Sequence, residues 1–158
     1  MTFDGRVLGA REVEVRLWPN TSSPLWRGPV SALTRRASPR EVCIVAELLE
    51  GGAPLARNIH HLAAPKDQAL PPPGLRVATR VEGETAILGV TSAPLARAVC
   101  LTSAVAGDFR DNYFDLLPGE SIEVRFWPRG VLDLEALRAS LRVRTLADPG
   151  SGPASLAK

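Results

Sequence analysis

The sequence is broken by glycine and proline into short runs in which apolar and polar residues alternate. It contains 13 Gly and 14 Pro among 158 residues. Two of these runs, VEVRLW (13–18) and SIEVRFW (121–127), carry large apolar residues at every second position. Such alternation lets an extended strand bury one face and expose the other. The pattern therefore predicts an all-β fold, an antiparallel β-sandwich of short strands.

Two hairpins are predicted, one on each side of a proline-rich segment. EVCIVAELLEGG (41–52) has the propensity of a helix, but its Val and Ile residues and its final Gly-Gly favour a strand and a tight turn. The returning strand is APLARNIHHLAAP (53–65). The second hairpin covers 75–92, with Glu82-Gly83-Glu84 as its turn. Further strands are predicted at 97–104, 120–128 and 140–146, and an interrupted or edge strand at 23–33.

One short helical turn is predicted near 133–139, because Asp133 can cap the N-terminus of DLEALRAS (133–140). The sequence shows no internal repeat and no second core, so residues 1–146 are expected to form one sandwich. Small and polar residues make up 147–158, which is expected to be a flexible tail or linker.

Charge and hydropathy exclude several classes of function. The net charge is +2 and the basic residues are scattered, so no nucleic-acid partner is expected. The short basic run of Arg35, Arg36 and Arg40 is typical of a solvated loop. No apolar run approaches the roughly 20 residues of a membrane span, and the first residues lack a signal-peptide pattern. A soluble chain with no membrane partner is expected; its Ala, Arg and Pro content favours a bacterial source, and its compartment stays open.

The two cysteines are Cys43 and Cys100, spaced like the disulfide of antibody domains. The rest of that signature is missing, since no Trp lies between them and Ala98 stands where antibody domains have Tyr. Two buried thiols outside any disulfide are predicted.

The stretch FRDNYFDLLPGE (109–120) is the part of the sequence that most resembles an active site. Its carboxylates and amide are calcium-type ligands, but their order does not match a calcium loop. Paired carboxylates also serve glycoside hydrolysis, which needs a deep cleft that one loop rarely supplies. A structural corner explains more of the residues, with short polar side chains bonding backbone, aromatic rings buried, and Pro-Gly forming a turn. The residues assigned to this corner are Phe109, Asp111, Asn112, Tyr113, Phe114, Pro118 and Gly119.

Other chemical motifs are missing from the sequence. His60 and His61 are neighbours on a predicted strand and point to opposite faces, so they cannot share a metal ion without distortion. There is no nucleophile elbow and no phosphate-binding glycine loop. No catalytic, cofactor-binding or metal-binding residue is therefore assigned, and no cofactor is expected. Trp18, Trp26 and Trp127 remain as candidates to stack on a sugar or to contact a neighbouring domain.

Two segments together resemble the C-terminal Ig-like domain of β-mannosidases in glycoside hydrolase family 2. They are ARNIHHLAAPKDQALPPPGL (56–75) and APLARAVCLTSAVAGDFRDNYFDLLPGESIEVRFWP (93–128). The matching positions are Asn58, Pro65-Lys66-Asp67, Leu70-Pro71 and Phe109 through Glu120. VEVRLWPNTSSPLWRGPVSAL (13–33) resembles the preceding strand pair. The resemblance covers roughly residues 3–146, and the DNYFDLLPGE block is its most specific part.

The resemblance implies an Ig-like sandwich that is not catalytic by itself. The catalytic glutamates of that family lie in a separate (β/α)₈ barrel, so none carries over to this sequence. The implied partner is that barrel, in a parent glycoside hydrolase. The family's domain starts with further strands, so the sandwich is expected to lack its first strands and to form a homodimer through the open edge, unless its own terminal segments cover that edge. The alternatives are a free-standing carbohydrate-binding module and a β-edge assembly module.

Overall fold

A computed structural model describes residues 1–148, and contacts between Cα atoms divide the chain into two compact units. Unit 1 consists of Met1–Thr2 and Arg6–Gln68, and unit 2 consists of Phe3–Gly5 and the described residues from Ala69 onward. The prediction of one sandwich over 1–146 stays a prediction. The predicted tail at 147–158 lies outside the described residues except for its first two positions.

Unit 1 is built on one β-hairpin. It contains helix α1 (Val30–Thr34), strands β1 (Cys43–Glu50) and β2 (Ala53–His61), and a 3₁₀ turn at Pro65–Asp67. The two strands pair antiparallel, with Cys43 opposite His61. Gly51 and Gly52 form the turn with positive φ values of 58° and 84°, as a two-residue hairpin turn with right-handed twist requires. The hairpin predicted from 41–65 is confirmed.

The strand predicted at 13–18 does not form in the structure. This segment has irregular backbone, and Val13 and Leu17 are exposed. A strand needs a neighbour to accept its N–H groups and donate to its carbonyls, and the described residues place no strand beside it. The interrupted strand predicted at 23–33 is also wrong, because that segment is irregular until α1 begins at Val30. α1 itself was not predicted.

Unit 2 is an antiparallel sandwich of two sheets. Its elements in chain order are β3 (Leu75–Glu82), β4 (Thr85–Ser92), β5 (Ala96–Thr102), β6 (Gly107–Phe109), β7 (Phe114–Leu116), β8 (Ser121–Pro128), α2 (Leu134–Ser140) and β9 (Arg142–Arg144). One sheet has the order β3-β4-β8-β6 and the other β7-β5-β9. Seven strands in sheets of four and three match the count of a constant-type immunoglobulin domain. The predicted Ig-like fold class is confirmed.

The core of unit 2 lies between its sheets. Alternation in β8 buries Val124 and Phe126 completely and turns Glu123 and Trp127 outward. Helix α2 adds Leu137, which is also fully buried. Its N-cap is the predicted Asp133, whose carboxylate accepts the Ala136 N–H at 2.9 Å. The second predicted hairpin is confirmed, with Glu82 opposite Thr85. Neither cysteine is in a disulfide, as predicted; Cys43 is buried as expected, whereas Cys100 is only partly buried.

Candidate functional site

Asn112 ties the acidic corner to strand β5. Its Oδ1 accepts the N–H of Leu101 at 2.6 Å, and its Nδ2 donates to the carbonyl of the same residue at 2.8 Å. The side-chain amide therefore occupies the place of a neighbouring strand's peptide group. An amide is suited to this task because it carries both a donor and an acceptor. The two hydrogen bonds of the Asn112 side chain therefore hold the corner against strand β5.

The carboxylates of the corner also bond to backbone. Asp111 accepts the Asn112 N–H at 2.8 Å. Asp115 accepts the Ala98 N–H at 2.8 Å with one oxygen, and its other oxygen lies 3.7 Å from Arg97 Nε. Glu120 accepts the Leu117 N–H at 2.9 Å. These oxygens hold turns and a strand edge instead of converging on a common point, and residues 1–148 contain no cluster of His, Cys, Asp or Glu able to hold a metal ion.

Two ion pairs involve strands of the four-stranded sheet of unit 2. Asp108 on β6 contacts Arg129 at 3.0 Å. Glu82 on β3 contacts Arg125 on β8 at 2.9 Å. The hydrogen bond and positive charge of Arg129 lower the pKa of Asp108. Arg125 does the same to the pKa of Glu82. Lowered pKa values keep both carboxyls ionised at neutral pH, which does not suit a general acid.

The aromatic residues of the corner divide into two groups. Phe109 packs on Phe126 with ring centroids 4.9 Å apart, and Phe114 is half-buried against the core. Tyr113 instead is 72% exposed and has a φ of 61°, so the expectation that its ring is buried is wrong. Its N–H donates to Val99 O at 2.7 Å, which holds the backbone and points the ring outward. A hydrogen bond with the Cys100 thiol raises the pKa of the Tyr113 phenol.

The end of the corner forms the predicted Pro-Gly turn. Gly119 has a φ of 79°, and its N–H donates to Ser92 O at 2.9 Å. Only a residue without Cβ adopts this backbone at little cost. Leu117, before Pro118, is buried. The turn thus fixes where β8 begins.

The three tryptophans lie in separate places along the chain. Trp18 is 60% exposed in unit 1, with the Arg16 guanidinium 4.4 Å from its ring centroid. Trp26, also in unit 1, lies over Gly28. Trp127 points outward from β8 in unit 2. All three are partly exposed, and their role in sugar or domain contact stays a prediction.

The histidines follow the alternation of β2. His60 lies opposite Ile44 and is exposed, whereas His61 lies opposite Cys43 and is half-buried. Since neighbouring residues of a strand face opposite sides, the two imidazoles do not converge.

Sequence reasoning missed a groove of about 520 Å³ in unit 2. It lies between the β3–β4 turn and the loop before α2, and Val81, Val131, Leu132 and Leu134 line it. Val131 is 98% exposed. The available signal was the apolar pair Val131-Leu132 directly after the turn residue Gly130. Among the described residues, Glu84 is the only ionisable one that lines the groove, so residues 1–148 supply no carboxylate pair there for hydrolysis.

Neither α-helix among residues 1–148 is long and apolar enough to cross a membrane.

Comparisons with known proteins divide the chain at the same place as its contacts. A family model for a mannosidase Ig/CBM-like domain matches residues 1–67, and the Ig-mannosidase model, described as an Ig-fold domain, matches residues 70–149. A crystal structure of β-D-mannosidase from Dictyoglomus thermophilum matches with a TM-score of 0.67 and 20% identity, over 91% of this chain and 17% of that chain. This chain therefore spans about a sixth of that solved protein. No curated protein matches.

Proposed function

The chain belongs to the Ig-mannosidase family of Ig-fold domains, and we propose that it is the non-catalytic C-terminal accessory part of a β-mannosidase-like glycoside hydrolase. In this proposal it packs against a catalytic barrel that its own sequence does not contain. Its role is to buttress that barrel and to shape one wall of the sugar cleft.

The observation that carries this proposal is the bonding of the acidic corner. Glycoside hydrolysis needs two carboxyls across a cleft, one of them with a raised pKa. Here the carboxylates of Asp111, Asp115 and Glu120 bond to backbone N–H groups, and the neighbouring Asp108 has a lowered pKa. The stretch that is richest in acidic side chains uses its carboxylates to bond to the backbone. None of these carboxylates is left to form an acid–base pair.

Exposed apolar side chains support the packing role. The exposed large hydrophobic residues include Trp18, Trp26, Trp127 and Val131. These residues lie in separate places on the two units, and each is available for contact with a neighbouring domain. A catalytic domain of the same polypeptide is a partner of the right kind for such contacts.

The first test is the size of the natural polypeptide. An antibody raised against this chain should detect a protein several times larger than 16.9 kDa in the organism that encodes it. A single band near 16.9 kDa would contradict the accessory role.

The second test is turnover. The purified chain should not hydrolyse an aryl β-mannoside, whereas the larger protein detected by the antibody should. The control for the chain is a variant with Asp111→Asn, Asp115→Asn and Glu120→Gln. Turnover by the chain that this variant loses would overturn the non-catalytic role, and turnover that persists in the variant identifies a contaminating enzyme.

Carbohydrate binding is the second candidate function, favoured by Trp18. Its ring is 60% exposed and lies in the segment matched by a model described as Ig/CBM-like. Arg16 covers one face of the ring, which leaves the other face to stack on a sugar. Titration with manno-oligosaccharides should then quench tryptophan fluorescence in the wild type and in Trp127→Ala, but not in Trp18→Ala. No response at millimolar sugar removes this candidate.

A further inference from the structure

The groove in unit 2 is a continuation of the hydrophobic core that reaches the surface. Val77 and Val81 lie on the same face of β3, because side chains alternate along a strand. Val77 is fully buried in the core, whereas Val81 is 51% exposed. On the other side of the groove, Leu132 and Leu134 pack against the same core and are half-buried. The groove therefore opens one end of the core to solvent.

The size of the groove fits a small molecule. Its volume of about 520 Å³ falls within the range of about 300–1,000 Å³ that is typical of small-ligand sites. Seven described residues line it, whereas each side of a stable protein–protein interface has about 20–30 residues. Pairing with an extended polypeptide is also disfavoured at the adjacent edge of β3, because Arg138 donates to the carbonyl of Thr79 at 2.9 Å. The groove is therefore better suited to a small ligand than to a polypeptide.

The only charge in the described lining is negative. It belongs to Glu84, and residues 1–148 provide this side chain with no ion pair. Asp133 and Glu135 flank the lining residue Leu134 and add negative charge beside the groove. An apolar ligand with a single positive charge is complementary to such a lining.

The basic side chains on the surrounding elements are already engaged. Each of them donates to an acceptor in unit 2: Arg80 to Glu123, Arg125 to Glu82, Arg129 to Asp108, and Arg138 to Thr79. These hydrogen bonds hold the guanidinium groups on their partners. Glu84 is therefore the charged group of the groove that remains available to a ligand.

We propose that this groove binds small organic ammonium ions that have an apolar body. The body lies against Val81, Val131, Leu132 and Leu134, and the ammonium group pairs with the Glu84 carboxylate. Burial of the body supplies the affinity, and the charge of Glu84 supplies the preference for a cation. The site goes beyond the accessory role and does not depend on it, since all the lining residues belong to unit 2 of this chain.

Three probes of equal apolar length test the preference for a cation. n-Hexylammonium, 1-hexanol and hexanoate are titrated into the chain at low ionic strength, and amide chemical shifts in NMR spectra report binding. The shifts should concentrate at 81–84 and 130–134. Hexylammonium should bind about threefold more tightly than 1-hexanol, because an exposed ion pair adds only a few-fold, and hexanoate should bind more weakly than both. Equal affinities, or shifts confined to other residues, would overturn the proposal.

Substitutions of Glu84 isolate the contribution of its carboxylate. Glu84→Gln should bind hexylammonium and 1-hexanol equally, and Glu84→Lys should reverse the order in favour of hexanoate. Glu50→Gln is the matched control, because it removes the same charge beside the hairpin turn of unit 1 and should keep the preference for hexylammonium. If Glu50→Gln lost the preference as Glu84→Gln does, net charge would be its cause and the site would be refuted.

A second pair of variants tests the apolar walls. Val81→Thr combined with Val131→Thr keeps the shape of both side chains and places hydroxyl groups in the lining, so all three probes should bind several-fold more weakly while their order stays the same. Val7→Thr combined with Val30→Thr changes two exposed valines of unit 1 and should leave binding as in the wild type. Unchanged binding in the first variant would argue against the groove.

The larger natural protein separates a small molecule from a neighbouring domain as the occupant. Hexylammonium should bind that protein with the same preference as it binds the chain alone. Loss of binding there would show that another part of the polypeptide fills the groove, which overturns the small-molecule site and leaves the accessory role standing. A natural polypeptide of only 16.9 kDa would instead remove the accessory role, while binding by the chain would still support the site.

Discussion

At the scale of single residues, the acidic corner shows how functional-looking side chains can be structural. Asn112 bonds to both the N–H and the carbonyl of Leu101. Asp115 accepts a backbone N–H from Ala98, which itself has a positive φ of 48°. A carboxylate or amide that bonds to main chain replaces a missing strand neighbour. The polar side chains of the corner therefore bond to the main chain at the edge of a sheet.

Replacing Asn112 should destabilise unit 2. Asn112→Ala leaves the partly buried N–H and carbonyl of Leu101 without their side-chain partner, which should lower the free energy of unfolding by about 2 kcal/mol. Urea unfolding followed by circular dichroism measures the change. Asp111→Asn is the matched control because it keeps an acceptor for the exposed Asn112 N–H, and it should change stability by less than about 0.5 kcal/mol. Equal losses in both variants would contradict the bonding described for Asn112.

Tyr113 offers a direct optical report on the corner. It is the only tyrosine of the chain, so the absorbance of tyrosinate on alkaline titration follows this residue alone. Its hydrogen bond and its electrostatic interaction with Cys100 raise its pKa above the usual 10.0. Titration should therefore show a midpoint above 10.0 in the wild type and a lower midpoint in Cys100→Ala. Phe114→Leu, which keeps Cys100, should retain the raised midpoint.

At the scale of secondary-structure elements, close approach of strands sets the edge of the larger sheet. Gly107 on β6 lies opposite Pro128 on β8. A Cβ at position 107 would meet the Phe126 ring and would lie 2.5 Å from the Trp127 carbonyl oxygen. The absence of a side chain at Gly107 thus allows β6 to pair with β8 while Phe126 stays in the core.

Gly107→Ala should disturb this edge. Because the clash involves backbone and a buried ring, we expect a loss of about 1–3 kcal/mol in the free energy of unfolding. Gly89→Ala in β4 is the matched control, since its nearest neighbour would be Ala78 O at 3.9 Å; this substitution should not destabilise. Chemical denaturation of both variants gives the comparison. If Gly107→Ala left the free energy of unfolding unchanged, β6 would be able to shift away from β8 without loss of stability.

The ion pair between β3 and β8 should make stability depend on pH in the acidic range. Arg125 lowers the pKa of Glu82 from its usual 4.5, so the pair stabilises the fold above pH 4.5 and this contribution is lost as pH falls through the lowered value. Both side chains are partly exposed, so the effect is small and salt should reduce it. Thermal unfolding of Glu82→Gln should converge with wild type at acidic pH. Glu84→Gln is the control, because it removes a carboxylate of the adjacent turn and leaves the ion pair of Glu82 and Arg125 in place.

At the scale of the whole molecule, apolar burial is concentrated in one unit. The fully buried core residues Leu88, Val99 and Phe126 all belong to unit 2. Unit 1 has a hairpin and little core, and a two-stranded hairpin alone is marginally stable in water. Opening should therefore require much less free energy in unit 1 than in unit 2.

Limited proteolysis should show this difference. Trypsin should first cut the isolated chain after Arg16 or Arg27, in irregular and exposed backbone, and should leave a resistant fragment that contains β3 to β9. Leu88→Ala, which creates a cavity in the unit 2 core, should shorten the lifetime of that fragment without changing the first cuts. Mass spectrometry identifies the sites. First cuts within 75–128 would contradict the assignment of the stable core to unit 2.

The sequence by itself determined the elements whose signals are local. The hairpins of 41–65 and 75–92, the alternation of β8 and the Asp133 cap each depend on residues within one turn or one strand pair, so propensity and turn chemistry suffice to predict them. The Pro118-Gly119 turn is local in the same sense, since Gly119 has a positive φ. Tertiary structure decided whether VEVRLW became a strand and whether Tyr113 was buried. A strand forms only when a neighbouring strand accepts its hydrogen bonds, and a ring is buried only when other elements close over it. Both conditions depend on residues far away in the sequence.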